Sequence, residues 1–373
     1  MSLNISEMPK LGFGLMRLPE TDGRINLSKV CAMADRYLQA GFNYFDTAYV
    51  YHGGRSEEVV KEVLVKRYPR EAFTVASKLP AWCIRNFDDR DRIFQEQLDR
   101  TGLDYFDFYL LHSLEDGANY DTYEKFDCFN WAVEKQKAGK IRHFGFSFHG
   151  TPELLETVLD KHPEIEFVQI QLNYADWENP VVQSGRLYQI LHERNIPIIV
   201  MEPVKGGTLA NVAPECADIF RALQPERSIA SWAMRFVGGL EGIATILSGM
   251  SNEEQMNDNL STFTDFEPLS TDEQLAVEQV REKMLQATLI GCTSCRYCMD
   301  GCPMNIHVPE IFNALNTLRR FPTDNRPKFF YGSLTGYSGK ASDCLQCGQC
   351  EEVCPQHLPI RELLTEAVEK LEG

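Results

Sequence analysis

The sequence has no long hydrophobic run: no apolar stretch approaches the ~18 residues needed to cross a bilayer. Its N-terminal residues also lack the succession of charged, apolar and small residues that marks a signal peptide. We therefore expect a cytoplasmic protein without a membrane partner.

Positive charge is scarce. Lys and Arg number 37 against 54 Asp and Glu, which gives a formal net charge of −17. No Lys/Arg-rich block is present, although clustered basic residues are what nucleic-acid binding relies on. We therefore expect no nucleic-acid partner.

A glycine-rich dinucleotide fingerprint is also missing. Gly12 and Gly14 flank Phe13, but no third glycine follows at the spacing that a pyrophosphate-binding turn requires. The segment is instead typical of a buried strand.

Cysteine, in contrast, is abundant, and most of it lies in two runs near the C-terminus. The first run ends in Pro303 and the second, which repeats its spacing, ends in Pro355. The other four residues, Cys31, Cys83, Cys128 and Cys216, are scattered, and we expect them to be small buried side chains. The runs contain Cys292, Cys295, Cys298 and Cys302, then Cys344, Cys347, Cys350 and Cys354.

The spacing CxxCxxCxxxCP predicts two [4Fe–4S] clusters, because three thiolates of one run hold one cluster and the fourth cysteine reaches the other. Structural zinc is the alternative, but a zinc site closes with four ligands and needs no interleaved sets. The runs resemble dicluster ferredoxin domains, and helical patterning after each Cys-Pro favours a mainly α-helical type. The predicted ligand sets are Cys292, Cys295, Cys298 and Cys354 for one cluster, and Cys344, Cys347, Cys350 and Cys302 for the other.

Eight short apolar runs alternate with amphipathic segments from about residue 10 to 261, which predicts an α/β fold, a (β/α)₈ TIM barrel. Gly41, Gly102 and Gly139 are predicted to end the helices that precede three of the strands. The runs are LGFGLM, FNYFDTA, FTVASK, FDFYLLH, IRHFGFS, FVQIQLNY, PIIVMEP and GIATILSG.

Three domains or segments follow from this pattern. Residues 1–268 form the barrel, residues 269–287 a linker helix capped by Ser270 or Thr271, and residues 288–373 the small dicluster domain.

Polar residues stand where successive barrel strands end, which is where barrel enzymes carry their chemistry. Asp46, Lys78 and His112 end three strands, and Tyr51 follows Asp46 closely. A phenol can protonate a developing alkoxide, an ammonium can lower its pKa, a carboxylate can hold the ammonium and an imidazole can orient a carbonyl. Taken singly, each residue could equally be a rim ion pair or a core group. Together they predict hydride transfer to a carbonyl.

The segments GFGLMRLP, FDTAYVYH, ASKL, LLHS, GFSFHG and QIQLNY resemble the successive signatures of the aldo/keto reductase superfamily over about residues 10 to 262. The resemblance implies a catalytic tetrad of Asp46, Tyr51, Lys78 and His112 and a nicotinamide cofactor. For three cofactor candidates, Ser147, Gln169 and Asn173, hydrogen bonding at the sheet end is the alternative role. The resemblance places the cofactor contacts at Gly14, Met16, Ser147, Gln169, Asn173, Glu202, Lys205, Gly249, Gln255 and Asn259.

The chain departs from the family pattern near this cofactor. Phe148 replaces an Asn that holds the carboxamide, and Glu202 replaces a Tyr that stacks on the nicotinamide. Gly249, Met250 and Gln255 stand where NADP-preferring members have Lys and Arg. Three options stay open: NADP helped by Lys205, NAD, or a changed cofactor such as flavin.

The sequence therefore predicts an NAD(P)-linked oxidoreductase acting on a small carbonyl or alcohol, coupled through its clusters to a ferredoxin- or flavodoxin-type electron partner. In a first alternative the clusters are purely structural, because the C-terminal region buries little core alone. In a second alternative the protein is a non-enzymatic nicotinamide or redox sensor.

Overall fold

The chain folds into two compact units in a computed structural model, which describes residues 5, 8–115, 118–179, 182–286, 289–322 and 324–373. One unit is Met1–Gly206 with Ala230–Gln274, and the other is Gly207–Ile229 with Leu275–Gly373. The domain limits at residues 268 and 287 stay a prediction. The compact units group Gly207–Ile229 with the C-terminal region.

Eight parallel strands close a barrel in the first unit, in the order β1-β10-β9-β8-β7-β6-β5-β4. Each predicted apolar run overlaps one of these strands, so the barrel prediction is confirmed. A short antiparallel pair, β2 (Glu20–Thr21) and β3 (Arg24–Ile25), follows the first strand. The barrel strands are β1 (Leu11–Gly14), β4 (Tyr44–Asp46), β5 (Thr74–Pro80), β6 (Phe106–Leu114), β7 (Ile141–Phe148), β8 (Phe167–Gln171), β9 (Ile198–Met201) and β10 (Ile243–Ser248).

The helices form where the sequence is amphipathic. Helix α1, for example, buries Val30, Met33, Ala34 and Tyr37 on one face. Gly102 ends α3 in the left-handed conformation, with its N–H donating to Leu98, as predicted. The helices are α1 (Leu27–Gln39), α2 (Arg55–Val60), α3 (Asp88–Thr101), α4 (Ala118–Lys125), α5 (Cys128–Lys137), α6 (Pro152–Lys161), α7 (Ser184–Glu193), α8 (Pro214–Leu223), α9 (Ile229–Gly238), α10 (Glu253–Thr264), α11 (Thr271–Gln286), α12 (Tyr297–Asp300), α13 (Val308–Arg320), α14 (Arg326–Leu334), α15 (Gln349–Glu352) and α16 (Ile360–Ala367).

Two features of the C-terminal half confirm the sequence prediction in detail. Ser270 is the residue that caps α11, because its hydroxyl accepts from the Glu273 N–H while the Glu273 carboxylate accepts from the Ser270 N–H. A helix follows each Cys-Pro pair, α13 after Pro303 and α16 after Pro355. Their apolar faces meet in one small core that includes Ile311, Leu315 and Leu364.

Within the described part of the chain, no helix combines the length and the apolar character needed to span a bilayer.

Candidate functional site

The interior of the barrel explains why three ionisable side chains gather at one end. Tyr44, Ala76 and Leu110 belong to a buried cluster contributed by several strands. Side chains two residues apart on a strand share a face. Asp46, Lys78 and His112, each two residues further along the same strands, therefore continue these rows to the carboxyl-terminal mouth of the barrel.

Lys78 lies at the centre of this group and is fully buried. Its ammonium donates to Asp46 Oδ1 at 2.6 Å and to the Thr47 carbonyl at 2.7 Å. Burial by itself lowers the pKa of Lys78, but the Asp46 carboxylate and the Tyr51 hydroxyl outweigh that effect and raise it. Lys78 is therefore an ammonium at neutral pH.

Tyr51 reaches the same point from the loop after β4. The Lys78 ammonium lies 5.0 Å from the centre of the Tyr51 ring. Burial raises the pKa of Tyr51, while Lys78 acts in the opposite direction. The pKa of Tyr51 is raised overall, although Lys78 alone would lower it, because loss of water around the phenol dominates. Tyr51 is therefore a protonated phenol at neutral pH.

His112 completes the mouth group, with its ring 5.9 Å from that of Tyr51 and edge-on to it. Burial, then the charges of Lys78 and His149, hold the pKa of His112 well below its ordinary value. Its Nδ1 atom is buried and has no hydrogen-bond partner among the described residues. The ring is thus a neutral imidazole beside a phenol and an ammonium, a set that can orient a carbonyl and protonate its oxygen.

The predicted cofactor contacts on β7 and β8 also lie at this mouth. The Ser147 hydroxyl accepts from the Ser113 N–H at 2.8 Å. The Gln169 side chain is buried, and its Oε1 has no hydrogen-bond partner among the described residues. Asn173 is held on both sides, because its amide donates to Asp176 and to the Glu202 carbonyl. Gln169 therefore retains a buried acceptor that suits an amide donor.

The remaining cofactor candidates divide into two groups. Lys205 is buried and its ammonium lies 2.5 Å from Asp176 Oδ1, so its charge is already paired. Around the end of β10, Asn259 donates to the Ser248 hydroxyl, and Gln255 accepts from the Ser251 N–H. Met16 is 56% exposed. A Cβ at Gly14 would lie 3.4 Å from the Ser248 carbonyl oxygen, an ordinary contact distance, so Gly14 lies beside the end of β10.

Arg17 is a candidate that the sequence reasoning missed. It is exposed, and its stem lies so close to Gly249 that a Cβ there would be 3.3 Å from it. The Ser251 hydroxyl donates to the Arg17 carbonyl, and among the described residues Arg17 forms no ion pair. The signal was available, since Arg17 follows β1 and a closed barrel makes β1 the neighbour of β10.

The two cysteine quartets line two separate cavities in the second unit, with the membership that the spacing predicts. One cavity is lined by Cys292, Cys295, Cys298 and Cys354. The other is lined by Cys302, Cys344, Cys347 and Cys350. Among the described residues no three His, Cys, Asp or Glu side chains close around a single ion. Quartets spread around a cavity fit a multi-iron cluster, whereas thiolates on one zinc ion each lie about 2.3 Å from it.

Two thiols in this region show why positive charge is needed there. Burial raises the pKa of Cys298 to about 12, and neighbouring Cys292 and Cys350 add to the effect. Burial likewise raises the pKa of Cys350 to about 11, with Cys344 as the next cause. The thiolate form is therefore disfavoured unless cationic iron compensates for it.

Comparison with known proteins agrees with this geometry. The model of the aldo/keto reductase family matches residues 10–282, and that of the 4Fe-4S dicluster domain matches residues 291–358. The chain is 27% identical to an aldo-keto reductase of Mycobacterium avium over 69% of this chain and 82% of that protein. It is also 27% identical to an aldehyde reductase of Saccharomyces cerevisiae, over 71% and 87%.

Solved structures share the fold. An aldo-keto reductase of Bacillus halodurans in its holo form superposes with a TM-score of 0.57 at 24% identity, over 73% of this chain and 91% of that chain. An aldo/keto reductase of Klebsiella pneumoniae in complex with NADP and acetate gives 0.58 at 20% identity, over 74% and 92%.

Proposed function

We propose that this chain, which belongs to the aldo/keto reductase family and carries a 4Fe-4S dicluster domain, reduces a small carbonyl compound with NADPH and uses Tyr51 as its proton donor. The observation that carries the proposal is the position of a buried ammonium, that of Lys78, 5.0 Å from the ring centre of the protonated Tyr51 phenol and 2.6 Å from Asp46 Oδ1.

The four mouth residues divide the work of carbonyl reduction. Tyr51 gives its proton to the carbonyl oxygen as negative charge develops there, and Lys78 stabilises the phenolate that remains. Asp46 holds Lys78 in place. His112 is neutral, so it donates a hydrogen bond to the substrate oxygen without competing as an acid.

The cofactor assignment rests on residues that fit a nicotinamide dinucleotide. When bound, the nicotinamide supplies a hydride, which is one proton together with two electrons. The buried, unpaired Oε1 of Gln169 is placed to accept from its carboxamide, beside Ser147 and Asn173. Arg17, next to Gly249, is the exposed cation available to a cofactor phosphate. NADP is the form bound in the Klebsiella pneumoniae relative.

The eight cysteines would hold two [4Fe–4S] clusters, each of which takes up one electron at a time. A hydride carries two electrons together, so exchange with the clusters requires that the pair be split, by a flavin or between the two clusters. We propose that the clusters pass electrons to or from a ferredoxin- or flavodoxin-type partner.

A structural role for the clusters is the second candidate, and one observation favours it. Six of the cysteines, Cys292, Cys298, Cys302, Cys344, Cys350 and Cys354, pack directly against the small apolar core of the second unit. Clusters at these positions would link α13 and α16 whether or not they transfer electrons.

The test of the proposed reaction is a Tyr51→Phe variant of the whole, cluster-loaded protein. We expect NADPH-dependent reduction of a panel of small aldehydes and ketones to fall by about 10²–10⁴-fold, because the proton donor is lost. NADPH affinity, measured by fluorescence titration, should change little. Unaltered turnover in the variant would refute the assignment of Tyr51.

A further inference from the structure

A third cavity, of about 340 Å³, lies within the second unit and shares no lining residue with the two cysteine cavities. Its walls come from the start of α8, the last part of α11 and the end of α13. Small-molecule sites have volumes of about 300–1,000 Å³, so this cavity has room for a metabolite. Neither the barrel chemistry nor the clusters use it.

The charge of this cavity contrasts with that of the acidic chain. Three of its lining residues, Lys283, Arg319 and Arg320, are cationic, and one, Glu215, is anionic. Arg319 is engaged outside the cavity lining, because its guanidinium bonds to both oxygens of Glu366. In the described part of the chain, neither Arg320 nor Lys283 forms an ion pair. Two cations are therefore left to face an incoming ligand.

Arg320 also has an unmet hydrogen-bond donor. Its Nε atom is buried and contacts no acceptor among the described residues. A buried N–H without an acceptor is unfavourable, and a guanidinium presents its donors in a planar fork that matches carboxylate and phosphate oxygens. The missing partner is thus an oxygen acceptor, preferably an anionic one.

Helix stabilisation does not account for this arrangement. Basic residues in the last turn of α13 interact favourably with the helix dipole. That interaction explains neither Lys283, which comes from a different helix, nor the buried donor of Arg320.

We propose that this cavity is a binding site for a small organic oxyanion, a molecule that carries a carboxylate or phosphate group held by Arg320 and Lys283. A neutral apolar ligand would leave the Arg320 donor unsatisfied. The ligand would contact α8, α11 and α13 together, and binding would therefore stabilise the second unit.

The experiment is calorimetric titration of the full, cluster-loaded protein with inorganic phosphate and, separately, with tricarballylate, at an ionic strength held constant with chloride. We expect saturable binding of at least one anion. The anion that binds more tightly identifies the chemical class of the ligand, phosphate or carboxylate. Arg320→Gln should weaken it at least tenfold and Lys283→Gln severalfold. Lys370→Gln, which removes an exposed lysine of the same unit outside the cavity, should bind as wild type does.

Two outcomes would overturn the proposal: no saturable binding of either anion to the wild type, or wild-type affinity in the Lys283→Gln variant. Lys283 is exposed, so its replacement leaves folding intact and keeps the test decisive even where Arg320→Gln loses its clusters.

Discussion

The protonation of Tyr51 is set by two opposing effects on one hydroxyl group. Burial raises its pKa above the ordinary value of 10.0, and the Lys78 ammonium lowers it. Because burial dominates, the phenol keeps its proton throughout the neutral range. The residue is therefore better prepared to give a proton to a carbonyl than to take one from an alcohol.

We accordingly predict a simple pH profile for carbonyl reduction. The rate should stay level from about pH 6 to about pH 9 and fall only when Tyr51 loses its proton, above about pH 10. His112 should add no step near its ordinary pKa, since that pKa is strongly lowered. Stopped-flow measurement of the chemical step would check this, and a falling rate that begins near pH 7 would contradict it.

Arg17 carries the second prediction at the level of single residues. Arg17→Gln should raise the KM for NADPH about tenfold and change the KM for NADH little, since a hydrogen bond to a charged group contributes about 1.5–3 kcal/mol. Steady-state kinetics with both cofactors would measure this. Arg24→Gln, which removes an exposed arginine of β3, is the matched control. Equal increases in KM for the two cofactors would show that Arg17 does not bind the cofactor phosphate.

At the level of elements, each cysteine run contributes one residue to the cavity of the other run. Cys354 lines the cavity of the first run, and Cys302 lines that of the second. Each cluster would thereby bond both halves of the repeat, and the helices that follow, α13 and α16, share one apolar core. Such an exchange would add covalent links between the two halves to the small apolar core that they share.

This exchange can be tested with three serine variants. Each should keep about four of the eight iron atoms expected for two clusters. The EPR spectrum of the cluster that remains in Cys302→Ser should match that of Cys347→Ser, because both variants remove a ligand from the same cavity. Cys295→Ser should leave the other. A Cys302→Ser spectrum that matches Cys295→Ser would mean that each run holds its own cluster.

Element boundaries were largely predictable, because they depend on local chemistry. Ser270 and Glu273 form a capping box three residues apart, and Gly102 ends α3 where a left-handed residue is needed. The grouping of Gly207–Ile229 with the C-terminal region was not predictable. It depends on contacts between residues far apart in sequence, for which one chain carries no local signal.

The whole molecule carries an aldo/keto reductase barrel and a 4Fe-4S dicluster domain, and the proposed function couples two-electron chemistry in the first to one-electron chemistry in the second. We predict that anaerobic addition of NADPH, alone or with flavin or substrate, reduces the clusters, and that absorbance and EPR spectra report it. A Cys295→Ser and Cys347→Ser double variant should keep its barrel turnover but lose this response. If the clusters stay oxidised under every condition, their role is structural. That result would leave the proposed role of Tyr51 as proton donor unchanged.

The sequence alone determined which residues could be strands, which end helices and how eight thiols divide into two spaced sets, because these follow from periodicity and spacing along the chain. It also predicted Asp46, Lys78 and His112 at strand ends. Asp46 is the last residue of β4, whereas β5 and β6 each continue two residues beyond Lys78 and His112. Only the tertiary structure decided that burial outweighs Lys78 at Tyr51 and that Asp176 pairs the charge of Lys205. Burial and cross-strand contacts arise when the barrel closes and distant segments meet, and no local pattern encodes them.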